Sequence, residues 1–234
     1  MGRFGYAGGV MIWASAATGT AIALALSGAP DREGFPTAEA WNRAPALTFN
    51  ADWQGKNADP GRETEVRVLW TRDTLFLRFR CHYRILTTFA DSEANGRRHQ
   101  LWDRDVAEVF LQPDPGQPNR YWEFEVSPNG MWIDLDIELG GTAAGSKAPG
   151  HKDDPRTGMK SRVHVDEAQK IWTAEVALPM RNLTPSFDPA SDWRVNFFRV
   201  EGPAEPRFYS SWQPTNTERP SFHVPEAFGK LSFR

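Results

Sequence analysis

The sequence predicts an all-β fold, an antiparallel β-sandwich of immunoglobulin-like or jelly-roll-like type with few short helical turns. Three observations carry this reading. Apolar and polar residues alternate with a period of two in segment after segment, turn residues separate these segments at short intervals, and almost nothing shows the 3.6-residue period of an amphipathic helix. A chain of 234 residues is within reach of one sandwich domain and long enough to bury a substantial core. No internal repeat and no interdomain linker divides it.

The N-terminus reads as a targeting segment. Phe4 to Pro30 carry no charge, Arg3 supplies a minimal positive start, and Ala23-Leu24-Ala25 or Ala25-Leu26-Ser27 each fits a small-x-small cleavage site. Residues 1–30 are therefore expected to be a signal peptide directing export to the periplasm, the cell surface or the exterior. An uncleaved membrane anchor, tethering the domain through residues 4–27, is the alternative, because Gly8, Gly9 and Gly19 dilute the apolar run. A misplaced start codon is a third. The sandwich is expected to occupy residues 31–234.

After a polar stretch from Asp31 to Thr37, Ala38-Glu39-Ala40-Trp41 suggests a short helix. Glu65–Thr71 and Thr74–Tyr83 read as strands joined by the tight turn Arg72-Asp73. The second sets Leu75, Leu77, Phe79 and Cys81 on one face against Phe76, Arg78, Arg80 and His82 on the other, as a half-buried strand does. The long loop Arg84 to Leu101 is of a kind that often carries function. Asp105–Gln112 is the next strand. Arg120–Val126 and Met131–Glu138 form a hairpin around Ser127-Pro128-Asn129-Gly130, since Asn-Gly accepts positive φ cheaply. Here Trp122, Phe124 and Val126 share one face, and Tyr121, Glu123 and Glu125 the other. The Gly-, Ala- and Lys-rich run from Gly140 to Gly158 has no periodicity and reads as a mobile excursion. A second hairpin, Ser161–Val165 with Ile171–Leu178, precedes a helical turn over Pro179 to Leu183. Trp193–Val200, Arg207–Trp212 and Gly229–Phe233 complete the strands.

Composition excludes several classes. A net charge of −3 and a pI near 6.0, with no clustered basic stripe, give no electrostatic basis for binding nucleic acid. The single cysteine, Cys81, rules out an internal disulfide framework and a Cys-rich metal site, and its phase in the strand makes it a small apolar residue. The histidines at 82, 99, 151, 164 and 223 show no HxxxH or HExxH spacing. Ten tryptophans are the outlier; such enrichment suits a β core or a recognition surface alike.

The run Leu101-Trp-Asp-Arg-Asp-Val-Ala-Glu108-Val-Phe-Leu-Gln-Pro-Asp114 is the most informative. It puts a tryptophan in a loop before a strand, with three acids close behind. A flat ring beside convergent carboxylates matches a sugar, which has one apolar C–H face and a rim of hydroxyls. The competing reading is a core tryptophan with solvated or paired acids, Glu123 and Glu125 being neutralised by Arg78, Arg80, Arg194 or Arg199.

The order of segments resembles the carbohydrate-binding family 9 modules and their DOMON-related β-sandwich relatives, found alone or attached to secreted glycan-active proteins. The matching stretches are Val66–Arg80; Leu101–Asp114; Tyr121–Asp136 with Glu123-Phe-Glu-Val-Ser-Pro-Asn-Gly130; Trp193–Arg199; and Ser211-Trp-Gln-Pro-Thr215 through Pro220-Ser-Phe-His-Val-Pro-Glu-Ala-Phe-Gly229. The resemblance implies a non-catalytic module that clamps a saccharide or polysaccharide end between two aromatic rings and assists polysaccharide breakdown. Trp102 matches one ring; Phe222 stands where the sugar clamp carries Trp. Glu108 matches a carboxylate that bonds sugar hydroxyls, Glu125 stands where a sugar-binding relative has Arg, and Arg219 falls near a family Asn. Asn196 is the weakest candidate, since a strand Asn beside Phe197 can simply satisfy backbone. The resemblance also admits a structural calcium, for which Asp103 and Asp105 or Asp134 and Asp136 are candidates.

Three alternatives remain at this stage. Asp103, Asp105, Glu108, Glu123 and Glu125 are numerous enough for a glycoside hydrolase, which needs two carboxyls flanking a glycosidic bond. Related sandwiches bind haem through His and Met, for which His82, His99, His223, Met131 and Met180 are available. A protein-interaction domain would use Trp102 and Phe222 as a docking patch.

Overall fold

The structure, a computed structural model, describes residues 19–140, 150–153 and 157–234. Its strands are β1 (Thr20–Ala25), β2 (Ala46–Phe49), β3 (Thr64–Trp70), β4 (Thr74–His82), β5 (Val106–Gln112), β6 (Arg120–Val126), β7 (Trp132–Glu138), β8 (Gly150–Asp153), β9 (Lys160–Asp166), β10 (Ile171–Pro179), β11 (Trp193–Glu201), β12 (Phe208–Ser211) and β13 (Gly229–Phe233). They run in the order β8-β7-β6-β5-β11-β13-β1-β3-β4-β10-β9, with β12 added to β11 and β2 to β3. The fold is mostly β, and the sheet curls so that its two halves pack as the layers of a sandwich.

The alternation read from the sequence decides what lies between the layers. Leu75, Leu77, Phe79 and Cys81 from β4 join Val66 and Val68 from β3, and meet Val109 and Leu111 from β5, Phe124 and Val126 from β6, and Val195 and Phe197 from β11. Phe79 and Phe197 touch edge to face across the interface, with centroids 6.1 Å apart. Each such side chain contributes roughly 1.5–3 kcal/mol by leaving water. Cys81 is fully buried here, and burial pushes its thiol up, which keeps it from acting as a nucleophile.

Each layer also has an outer face to cover. On the β3–β4–β10 layer this falls to α1 (Ala38–Arg43), whose Trp41 packs with Leu69 and Phe76. Thr37 caps the helix, its Oγ1 accepting from the Ala40 N–H at 3.3 Å. A single helical turn, α2 (Met180–Leu183), follows β10. On the other layer, Val106, Phe110, Tyr121, Ile133, Leu135, Ile137, Phe198 and Val200 form a second apolar cluster, covered by Phe222 and Phe228 from the last long loop. The candidate site lies on this second face.

Two features depart from the sequence reading. Strand β1 lies within the segment set aside as leader or anchor, yet it sits between β13 and β3, parallel to both, in a sheet whose other strand pairings are antiparallel among the described residues. Ala21 and Ala23 are buried. Small residues fit this crowded place: a Cβ on Gly19 would lie 2.7 Å from the Gln213 side-chain nitrogen and 2.9 Å from the Trp212 ring. Residues 20–25 thus pair within the sheet although they precede the boundary expected between 30 and 31. The earlier part of the expected leader or anchor falls outside the described residues. The excursion expected over 140–158 does so in large part as well, and its residues 150–153 pair with β7. No helix among the described residues is long and apolar enough to cross a membrane.

Candidate functional site

The register of three adjacent strands builds the site. Glu108 on β5 faces Glu125 on β6, Phe110 faces Glu123, and Phe198 on β11 lies on the other side of Glu108. Because side chains two apart share a face, Glu108, Glu123 and Glu125 all project into the second apolar cluster. They are 2 %, 4 % and 0 % exposed. One oxygen from each can be chosen so that the three atoms lie within 4.8 Å of one another. Among the described residues this is the one metal-capable group of three or more such side chains.

Above them opens a cavity of about 390 Å³, in the size range of small-molecule sites, roughly 300–1,000 Å³. Its apolar lining comes from Phe110, Leu135, Ile137 and Val200, its acids are Glu108 and Glu123, and Trp102, Arg207, Tyr209 and residues 220–223 complete the wall. Trp102 stands on a short turn, Leu101–Asp103, before β5. Arg207 fixes it there: Nη1 donates to the Trp102 carbonyl at 2.7 Å, Nη2 to Tyr209 Oη at 2.6 Å and Nε to Glu205 at 3.1 Å. His223 Nδ1 lies 2.7 Å from Tyr121 Oη, and its ring stacks on Phe110.

Among the described residues, the arginines of the competing reading form no ion pair with Glu123 or Glu125. Arg78 pairs with Glu65, Arg194 donates to the carbonyls of Glu226 and Phe228, and Arg199 lies on the opposite face of β11 against Glu201. Both oxygens of Glu125 and one of Glu123 are buried with no N–H or hydroxyl donating to them, and the two acids meet carboxyl to carboxyl. Burial, reinforced by the neighbouring carboxylates, holds Glu108 and Glu125 well above the usual carboxylate range. Burial pushes Glu123 up to about 7, and charging an unpaired buried acid carries a large desolvation cost. Arg207 partly offsets this for Glu108.

Residues 34–234 match the carbohydrate family 9 binding domain-like family. The chain belongs to that family. An "Extracellular protein" of Arthroderma benhamiae is 26% identical over 200 residues, spanning 82% of this chain and 86% of its own length. Among solved structures, a candidate carbohydrate-binding protein of Bacteroides uniformis superposes with a TM-score of 0.70 at 17% identity, covering 93% of this chain and all (100%) of the other. A carbohydrate-binding module of family 9 from Caldicellulosiruptor kristjanssonii, solved with glucose, gives 0.62 at 13% identity, covering 92% of this chain and 96% of the other. The cellotriose complex of a module so described from the same organism gives 0.60 at 13%, with coverage of 92% and 94%.

In this family 9 domain the residues singled out from sequence divide into three groups. Trp102, Glu108 and Phe222 line the cavity, and Glu125 lies beneath it against Glu108. Phe222 is only 8 % exposed and one face of its ring stacks on Phe198, with centroids 4.2 Å apart. Arg219 and Asn196, also read as contacts, lie outside the lining of this cavity. Arg219 is exposed on the loop. Asn196 is fully buried, with Nδ2 donating to the Gln213 carbonyl at 2.9 Å and Oδ1 accepting from the Gln213 N–H at 3.0 Å. Its amide latches the strand to the following loop.

Arg207, Tyr209 and His223 were not read from the sequence. Tyr209 pairs with Val200 across β11 and β12, so strand phase could have placed it, whereas Arg207 and His223 sit in loops where no periodicity operates. Of the haem-ligand candidates only His223 reaches the cavity. The aspartates considered for calcium are largely engaged by the protein's own donors. Asp105 accepts from the N–H groups of Gly202 and Thr87, Asp134 from Arg97 and Thr157, and Asp136 from Arg120.

Proposed function

We propose that this family 9 domain binds a saccharide without altering it, in the cavity between Trp102 and the last long loop. The observation that carries the reading is the meeting of an aromatic wall with carboxylates aimed into one cavity: Trp102, Tyr209 and Phe222 beside Glu108 and Glu123. An indole can lie on the apolar face of a pyranose while carboxylates accept from its hydroxyls. Phe222 has only part of its surface to offer, so Trp102 is the principal platform and the two-ring clamp is lopsided. The likeness to structures solved with glucose and cellotriose supports the same class of ligand.

A hydrolase holds two carboxyls on opposite sides of the scissile bond. Here all three glutamates project from neighbouring strands of one sheet, an arrangement that favours binding. We infer export as well, supported by the relative named an extracellular protein and by the uncharged N-terminal run; fractionation of cells producing the full chain tests it.

Glycan-array screening followed by calorimetry with glucose and cellotriose tests the function. An aromatic contact of about 1–1.5 kcal/mol and a few hydroxyl hydrogen bonds predict micromolar or weaker affinity. Trp102→Ala should weaken binding about tenfold. Absence of any saccharide ligand, or undiminished binding by the variant, rejects the proposal.

A further inference from the structure

We propose that Glu108, Glu123 and Glu125 hold a divalent cation at the base of the cavity, a hard ion of the calcium type, with coordination positions left open toward the ligand. Two oxygens bound to one ion at about 2.4 Å lie roughly 3–5 Å apart, and the glutamate oxygens lie within 4.8 Å of one another. The donor set is all carboxylate, which selects hard cations over zinc or copper.

Acidic side chains gather on many protein surfaces, but this group is not on a surface. Glu125 is 0 % exposed, and no N–H, hydroxyl or basic side chain donates to either of its carboxylate oxygens or to one oxygen of Glu123; what these two acids have is each other, a carboxyl-to-carboxyl contact that holds only while a proton is shared. Among the described residues no Lys or Arg forms an ion pair with any of the three. Buried polar atoms are nearly always partnered, so these oxygens point to a missing partner, and a cation satisfies several at once. Glu108 and Glu123 line the cavity, which gives an ion a way in and leaves one side of its coordination shell facing the solvent or a ligand. Arg207 acts on Glu108 and Asp103 on Glu125, and His223 lines the same cavity. Arg207 and Asp103 are of opposite sign, so they do not supply the missing compensation.

Binding through one oxygen each, as their spacing allows, three glutamates leave about half of the six to eight oxygen positions that calcium prefers unfilled. Adjacent hydroxyls of a saccharide can take the remainder on the cavity side; this part of the proposal rests on the glycan reading, whereas the cation site does not.

The test uses the full chain after EDTA treatment and dialysis, titrated by calorimetry and thermal unfolding with calcium, magnesium and manganese chlorides at pH 7.5. Calcium at a hundredfold excess over its dissociation constant should raise the unfolding midpoint by about 5–10 °C. Glu125→Gln and Glu108→Gln, shown to be folded by circular dichroism, should lose that response. No binding of any of the three ions up to about 10 mM, or an unchanged response in both variants, overturns the site. Cellotriose is then titrated with calcium and with EDTA. At least a tenfold loss in EDTA supports the coupling, and equal affinity overturns it while leaving the glycan reading intact. Cation binding with no saccharide binding in either buffer overturns the glycan reading and leaves the site.

Discussion

Glu108 and Glu125 are register partners on neighbouring strands, both buried, and no basic side chain among the described residues pairs with either. With the cation removed and at alkaline pH, their mutual repulsion opposes folding. Glu125→Gln keeps the shape, removes one charge and offers an N–H₂ donor to the remaining acids. At pH 8 in EDTA it should stabilise the domain by about 2 kcal/mol, or roughly 4–8 °C in midpoint. At pH 5 the gain should shrink, because burial and the neighbouring carboxylates favour the neutral form of Glu125. A loss of stability at pH 8 would show that Glu125 already has a donating partner in the metal-free protein.

Trp102 and Phe222 line the same cavity but should respond differently to truncation. Trp102 is half-buried at a turn, so Trp102→Ala should reduce saccharide affinity with little change in midpoint. Phe222 stacks on Phe198 and closes the apolar cluster, so Phe222→Ala should cost about 3 kcal/mol of stability as well as binding. Calorimetric affinity and denaturant unfolding on the two variants separate these outcomes; equal stability losses would refute the division of roles.

Arg207, itself part of the cavity wall, holds the Trp102 turn through the Trp102 carbonyl and the Tyr209 hydroxyl. Lys cannot reproduce this fork of planar donors. Arg207→Lys should therefore weaken saccharide binding severalfold although Trp102 is retained, and the near-ultraviolet circular dichroism of the aromatic residues should change. Wild-type affinity in Arg207→Lys would mean that the turn bearing Trp102 holds itself.

The fold was legible because its strands alternate. Leu75 to Cys81 and Trp122 to Val126 each display a core face in the sequence, and both faces meet in the structure. Glu123 and Glu125 could be put on one side of β6 by the same count, and Trp102 by its position before β5. Strand β1 escaped because Ala21 and Ala23 carry too little side chain to announce a core strand, and their parallel partners lie far away in sequence. Arg207 and His223 escaped because loop positions are set by tertiary contacts rather than by a repeat. Asn196 is a related case: a polar residue on the cavity-side face of β11 can be spent on backbone, and only the placement of Gln213 reveals it.

Strand β1 yields a prediction about the N-terminus. The Lys230 N–H donates to the Gly19 carbonyl, the Arg234 N–H to Ala23, the Ala25 N–H to Arg234, and the Leu26 N–H to Trp70. At about 1 kcal/mol net for each bond, starting the chain at residue 31 should destabilise it by on the order of 4 kcal/mol relative to starting at residue 19. Urea unfolding of the two proteins measures this. Equal midpoints would show that β1 is dispensable and would support the boundary read from the sequence.

The buried acids also set a pH dependence. Burial pushes Asp105 up to about 6 although it accepts from Gly202 and Thr87, and pushes Glu123 up to about 7. A native pKa above the unfolded one means that the folded state binds protons more tightly. The resulting stability is fully present below the unfolded pKa, near 4, and is lost as pH rises through 6 for Asp105 and 7 for Glu123. In EDTA the unfolding midpoint should therefore fall by several degrees between pH 5 and pH 7.5, and the raised Glu108 and Glu125 add to the fall. Asp105→Asn should flatten the slope only up to about pH 6, and Glu123→Gln the slope up to about pH 7. A midpoint that climbs across this interval would mean that both acids are already ionised in the native protein at pH 5.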